Sequence, residues 1–467
     1  MVMSMNYKFK YDYSKTLWMK LFLAEPDFAS NTSKIYATFE QALDIIQKVD
    51  NITQGIRKIV YLVGYQGLGH DDCWPEMHIV NDNLKRACDA TGRESLIWLM
   101  EEAKQYNTIV SLHANVADLV VEDGIFHELA AADAICNDIH GKPAVLQILN
   151  GRNCYKTSYK QLWESGIFKR LFDTLCETLP IREAGTLHLD NFCIAESLNP
   201  QTYVEEQDEA RNKMLDYMYA QGVEITTEYT YREAHFRHES PDHPNRVMYA
   251  QAGEDMTPVP VGSVPFRTLG RIPGVWHATD MSIQDCMDIP PSLLSGYPVD
   301  SARYGVFCGT TRGEGIWKDI GIDAAKWGPV FIKDFCTNQL PYAYLNRYQR
   351  LSYTEDPDAE YAKKYTVQFS DGVVSCAANG SITKNGVVLK QGNDVILPVT
   401  EDNETFIAYS ENGRSGKWNL PDCPFTEAAV FEITPEGNRF MEKTTVRDGQ
   451  IELELAPGQG VAIKAAE

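Results

Sequence analysis

Thr186-Leu187-His188-Leu189-Asp190-Asn191-Phe192 and, further on, Gly222-Val223-Glu224-Ile225-Thr226-Thr227-Glu228-Tyr229-Thr230 decide how this chain is read. Each is a short apolar or β-branched run with a carboxylate near its end, the pattern of a strand. Between them, residues 204–221 are rich in Glu, Ala, Met, Leu and Tyr, and Gly222 follows, as at a helix C-terminus. A strand–helix–strand unit runs its two strands parallel. Asp190 and Glu228 then share one edge of the sheet. In a barrel of such strands that edge carries the chemistry.

The same alternation extends outward in both directions. Strand patterns recur at residues 16–23, 58–63, 108–113, 144–149, 186–190, 223–229, 275–279 and 304–308. Helical patterns fill several intervals: Phe39, Ala42, Leu43 and Ile46 fall at i, i+3, i+4 and i+7, Leu96, Leu99, Met100 and Ala103 mark a second face, and residues 159–179 read as a third helix. Eight strands alternating with helices predict a (β/α)8 TIM barrel over residues 1–353. Beyond residue 364 short β-branched runs alternate with Asn-Gly, Asp-Gly and related turn signals. These predict a C-terminal antiparallel β-sandwich over 364–467, joined through a linker at Asp356-Pro357-Asp358. The fold class is therefore α/β with an added sandwich domain.

The chain has 467 residues, 43 Lys and Arg against 65 Asp and Glu, and a formal net charge of −22. That balance disfavours nucleic acid and anionic membranes as partners. No apolar run approaches the roughly 20 residues of a membrane span. The polar N-terminus lacks the apolar core of a signal peptide, so the expected location is cytoplasmic. Eleven cysteines are scattered without Cys-x-x-Cys spacing, which fits buried thiols in a reducing compartment and gives no zinc signature.

Two carboxylates at one barrel rim suit glycosidic bond cleavage. One attacks or stabilises the oxocarbenium-like carbon and the other protonates the leaving oxygen, with a separation of about 5 Å for retention and more for inversion. Acids at strand ends also cap helices or pair with Arg, so the pair gains weight from its surroundings. His70 and Asp71 follow one strand, and His113 and Asn115 end the next. Sugar hydroxyls need donors and acceptors of this kind, and aromatic rings to cover their apolar faces. Tyr65, Trp74, Tyr229 and Trp276 are the candidate rings, although each taken singly reads as readily as core. His70, Asp71, Asp72 and His113 have no metal-ligand spacing, so no metal or cofactor is expected, with a structural calcium left open.

At these residues the sequence resembles a known group. Gly64-Tyr65-Gln66 followed by Gly69-His70-Asp71 resembles the Gly-Trp-Gln…Gly-His-Asp segment of the endo-α-N-acetylgalactosaminidases, glycoside hydrolase family 101. Ser111-Leu112-His113-Ala114-Asn115 resembles that family's His-x-Asn strand end, Leu189-Asp190 its nucleophile strand, and Thr227-Glu228-Tyr229 its acid/base strand. Residues 338–344 extend the likeness. The compact chain is in that respect more similar to the related family 129. The resemblance implies a retaining hydrolase of α-linked N-acetylgalactosamine on mucin-type O-glycans or their fragments. It implies Asp190 as nucleophile and Glu228 as acid/base, with Glu224 and Glu233 as alternatives for the second role. It further implies that His70 and Asp71 hold hydroxyls of the terminal sugar, with His113 and Asn115 lining the same pocket; Tyr65 and Gln66 of the first motif are candidate substrate-binding residues beside them. An α-galactosidase or other α-hexosaminidase of the clan, an endo-acting core-1 hydrolase, and a non-catalytic carbohydrate-binding barrel stay open, as does the oligomeric state.

Overall fold

The computed structural model describes residues 10–11, 16–190, 192, 195–227, 233–236, 248–251, 316–345, 347–348, 350–358, 365–376 and 378–466. Five strands form a parallel sheet in sequence order: β1 (Leu17–Phe22), β2 (Lys58–Val63), β3 (Thr108–Ala114), β4 (Thr186–Leu189) and β5 (Glu224–Thr227). Helices α1 (Phe39–Ile52) and α2 (Gly92–Glu102) make the first two crossovers. Helix α3 (Ile167–Thr178) precedes β4, and α4 (Val204–Ala220) joins β4 to β5. Thr38 with Gln41, and Thr91 with Glu94, close capping boxes at the starts of α1 and α2, so orphan amides at each helix end are satisfied locally.

Strand alternation divides the sheet into two faces. Met19 and Leu21, Val60 and Leu62, Val110 and Leu112, Leu187 and Leu189, and Ile225 join the large apolar core with the helices. The opposite face is polar. Lys20 is in register with Tyr61, Tyr61 with Ser111, and Thr186 with Glu224. Tyr61 and Thr186 share a hydroxyl–hydroxyl hydrogen bond of 2.8 Å, and Ser111 donates to the Thr186 carbonyl at 2.5 Å. Tyr11 packs against Ile59 and Tyr61 near the N-terminal edge of this face and donates to the Ala184 carbonyl. Burial, then the Glu224 carboxylate, push the Tyr11 phenol up to about 12.

Two expectations are corrected. The run at 144–149 is not a strand of the parallel sheet. Val145–Leu149 turns back and pairs antiparallel with Arg152–Lys156, which also pairs with Asp118–Leu119. The reason is local: Asn150 and Gly151 both have positive φ (50° and 79°), the backbone of a tight hairpin turn that Asn-Gly favours. The helix expected over 159–179 is two helices, Tyr159–Glu164 and α3, broken at Gly166 with φ of 78°. The strands expected at 275–279 and 304–308 lie outside the described residues.

From Arg350 the chain is antiparallel. Ten strands form one sheet: β6 (Arg350–Glu355), β7 (Tyr365–Phe369), β8 (Val373–Cys376), β9 (Ser381–Lys384), β10 (Val387–Gln391), β11 (Asp394–Pro398), β12 (Thr405–Ser410), β17 (Gln459–Ala465), β14 (Glu427–Thr434) and β15 (Gly437–Thr445), in that spatial order. Strands β13 (Arg414–Asn419) and β16 (Gln450–Leu455) pair separately. Alternate residues of β11, β12 and β17 enter different cores. Ile396, Phe406, Ala408, Val461 and Ile463 pack with Trp418, Ile451 and Leu453 under the two-stranded layer. Val395, Leu397, Ile407, Tyr409 and Ala462 face the core shared with the parallel sheet. Helix α5 (Ala324–Asp334) lies against that second face: a Cβ on Gly460 would come within 3.1 Å of Ile332, and one on Gly328 within 2.6 Å of Pro435. The end of α1 joins the same contact, with Asn51 Nδ2 donating to the Pro435 carbonyl at 2.7 Å. Among the described residues no helix is long and apolar enough to cross a membrane.

Candidate active site

The polar groups singled out in the sequence gather at the C-terminal edge of β2, β3 and β4. The chain leaves β2 through Gly64 at φ of 75°, where a Cβ would lie 2.1 Å from the Ala24 carbonyl oxygen. Only glycine lets the two backbones pass this closely. His70 N–H then donates to that same Ala24 oxygen at 2.8 Å, which pins the loop beside the end of β1. Gly64→Ala is expected to lower stability by about 2–4 kcal/mol, from left-handed strain plus overlap. Denaturant unfolding checks it; an unchanged midpoint would mean that the loop is free to move off Ala24.

Three imidazoles run across the strand ends. The His70 and His113 rings are 5.4 Å apart, and His113 stacks on His188 at 5.2 Å and 24°. His188 Nδ1 shares a hydrogen bond of 2.9 Å with Thr226 Oγ1, and its other face meets the Tyr61 ring at 5.4 Å. Burial, then Lys20, then His113, hold the His188 imidazole well below its usual range, so it is neutral at neutral pH. His70 Nε2 lies 3.5 Å from Asp71 Oδ2.

Asp190 follows β4 directly and is held by its own N–H, which donates to the Ala114 carbonyl at 2.8 Å. Its Oδ2 is 3.6 Å from His113 Nε2 and 3.4 Å from Asn115 Nδ2. The carboxylate is 16% exposed while His113 is 2% exposed, so a partly open acid rests on a buried polar floor. The 145–156 hairpin forms part of the rim. Asn150 Nδ2 donates to the His70 carbonyl at 3.2 Å, and the Arg152 guanidinium lies 3.5 Å from Asp72 Oδ1 and over the Phe28 ring.

The structure thus brings together His70, Asp71, His113, Asn115 and Asp190. It does not bring Tyr65 and Trp74 to a surface on which a sugar could stack. Both are fully buried, with Tyr65 donating its hydroxyl to the Met77 carbonyl at 2.7 Å and the two rings meeting edge-on. Bulk and apolarity place both rings in the core. Gln66 is fully buried, and among the described residues neither atom of its amide has a hydrogen-bond partner. Glu224 begins β5, two residues before the level of His188, and accepts from the Lys10 backbone, so it sits towards the edge away from Asp190. Glu233 lies in the strand Glu233–Phe236, paired with Met248–Gln251. Glu228, Tyr229 and Trp276 lie outside the described residues. His188, Asp118 and Lys156 were missed as site residues; the Asn150-Gly151 pair was the signal that a hairpin, and Lys156 with it, returns to the rim. Among the described residues no cluster of His, Cys, Asp or Glu could hold a metal ion, and the eight described cysteines are unbridged.

A carboxylate backed by imidazoles and an amide, at the C-terminal edge of a parallel sheet, is the kind of site a hydrolase presents to a hydroxyl-rich substrate. Residues 24–246, a little under half the chain, match the glycoside hydrolase family 101 model, endo-alpha-N-acetylgalactosaminidase, and this supports a glycoside hydrolase. The resemblance read from the motifs therefore holds for the stretch that builds the site. No curated protein gave a match. Among solved structures, the chain is similar to the α-N-acetylgalactosaminidase NagBb of Bifidobacterium bifidum (13% identity, TM-score 0.46, covering 79% of this chain and 58% of that one). It is also similar to an α-galactosidase of Thermus thermophilus (12%, 0.28, 47% and 39%) and an Anoxybacillus α-amylase (10%, 0.40, 98% and 100%). The chain spans less than two thirds of the length of the first two.

Proposed function

We propose that the protein is a retaining α-glycosidase that removes α-linked N-acetylgalactosamine from mucin-type O-glycans or their fragments. The observation that carries this reading is Asp190 itself. It is a partly exposed carboxylate at the end of a parallel strand, flanked by His113 and Asn115 and inside the family-matched stretch. In this reading Asp190 attacks the anomeric carbon and forms a glycosyl-enzyme ester. Glu228 gives its proton to the departing oxygen and then takes one from water. His70 and Asp71 bind sugar hydroxyls, and burial keeps the His188 imidazole uncharged beneath the pocket. In this reading the five parallel strands, in sequence order, belong to a (β/α)8 barrel, and the segment from 364 onward is its sandwich domain.

The test is hydrolysis of the 4-nitrophenyl α-glycosides of N-acetylgalactosamine, galactose and the core-1 disaccharide. Release from the first alone supports an exo-acting α-N-acetylgalactosaminidase, and release from the disaccharide alone an endo-acting one. Activity only on the galactoside moves the specificity to galactose, and silence of a folded protein on all three overturns the substrate. Glu228→Gln should lose about 100-fold or more on alkyl glycosides but far less on 4-nitrophenyl glycosides, whose leaving group needs little protonation. Equal losses on both would move the acid/base role to another residue.

A further inference from the structure

The Asp190 pocket is backed by a buried chain of polar groups that leads into the rim hairpin. Asn115 Oδ1 accepts from the backbone N–H of Ala117 (2.8 Å) and Asp118 (2.9 Å), which fixes the orientation of its amide. The amide NH2 therefore faces two carboxylates, Asp118 Oδ2 at 2.8 Å and Asp190 Oδ2 at 3.4 Å. The second oxygen of Asp118 is 3.2 Å from Lys156 Nζ, and Asp118 and Lys156 are 2% and 1% exposed. Two acids bridged by one amide repel each other unless one is neutralised, and screening is weak on the side of the buried Asp118.

We propose that Asp118 and Lys156 are a positioning pair for Asp190: Asp118 turns the Asn115 N–H towards Asp190, and Lys156 cancels the charge of Asp118 so that Asp190 remains ionised. The inference rests on the proposed role of Asp190 as nucleophile. Other groups face the same region. His113 touches Asp190, with His188 stacked behind it and His70 in front; Cys154 and Cys136 flank Lys156, and Asp71 lies across the pocket. Burial keeps both thiols protonated and His188 is neutral; Lys20, also buried on this polar face, acts on His188, and Lys156, 3.2 Å from Asp118, is the cation in contact with that carboxylate.

The experiment follows the protonation of Asp190 in two ways: the acid limb of the pH–rate profile on the 4-nitrophenyl glycoside, and the pH dependence of esterification of Asp190 by a diazo reagent, which modifies only a protonated carboxyl and is read by peptide mass spectrometry. Lys156→Met should move both upward by about one pH unit, roughly a tenfold change at fixed acidic pH. Asp118→Asn should move both downward, and the double variant should return near the wild type. If Lys156→Met does not fold, Asp118→Asn and the double variant carry the comparison. Coincident curves for the folded variants and the wild type would overturn the pairing, because a merely structural role changes stability without moving either curve. The labelling curve needs no turnover. A wild type silent on every glycoside but with shifted labelling in the variants would overturn the glycosidase reading and keep the pair.

Discussion

Asp190→Asn should abolish hydrolysis, by about four orders of magnitude or more, while leaving the fold intact. In the proposed mechanism the carboxylate is the attacking group, and the amide that replaces it has the same shape and no charge. Its surroundings tolerate the change. The Asp190 backbone N–H still donates to Ala114, and the side chain is partly open to solvent, so no buried charge is stranded. Steady-state rates beside a circular dichroism spectrum and an unfolding midpoint check both halves. Asp190→Gly adds a stereochemical check: azide entering the space that the carboxylate vacates should attack from the same face and yield a β-configured glycosyl azide. A folded Asp190→Asn with wild-type rates would remove Asp190 from the mechanism.

Trp74→Ala should be the most damaging of these substitutions for stability, at about 3–5 kcal/mol, the usual cost of emptying a fully buried tryptophan site. Trp74 is 0% exposed and packs edge-on against Tyr65, which is buried too. A sugar platform would behave differently, raising KM and leaving the unfolding midpoint in place. Trp74→Phe separates the contributions. It keeps most of the ring and removes an indole N–H that meets no acceptor among the described residues, so it should cost far less than the alanine variant. Denaturant unfolding beside KM and kcat decides: a large KM change with unchanged stability would return Trp74 to the substrate surface.

These two residues mark where reading the sequence succeeds and where it stops. The strand-end position of Asp190 was legible because a β-branched and apolar run, a carboxylate at its end and a helix behind it are local features. Trp74 was not, because an aromatic residue in a loop has the same one-dimensional signature whether it meets sugar or core. Burial decides between them, and the Tyr65 ring packs edge-on against Trp74 in the core. The run at 144–149 misled for a related reason: its apolar content is that of a parallel strand, while Asn150-Gly151 turns it into a hairpin.

By itself the sequence determined the α/β alternation, the parallel strands from β1 to β5, the antiparallel C-terminal region and the cluster His70, Asp71, His113, Asn115 and Asp190. Periodicity and strand-end placement are set by residues close in the chain. Only the tertiary structure decided that Glu224 lies towards the far edge from Asp190, that His113 stacks on His188 and meets His70 edge-on, and that Asp118 meets Lys156 across 38 residues. Those relations depend on inter-strand register and on how a hairpin folds back over the sheet. Both are fixed by packing between distant segments, which leaves no periodic trace in the sequence.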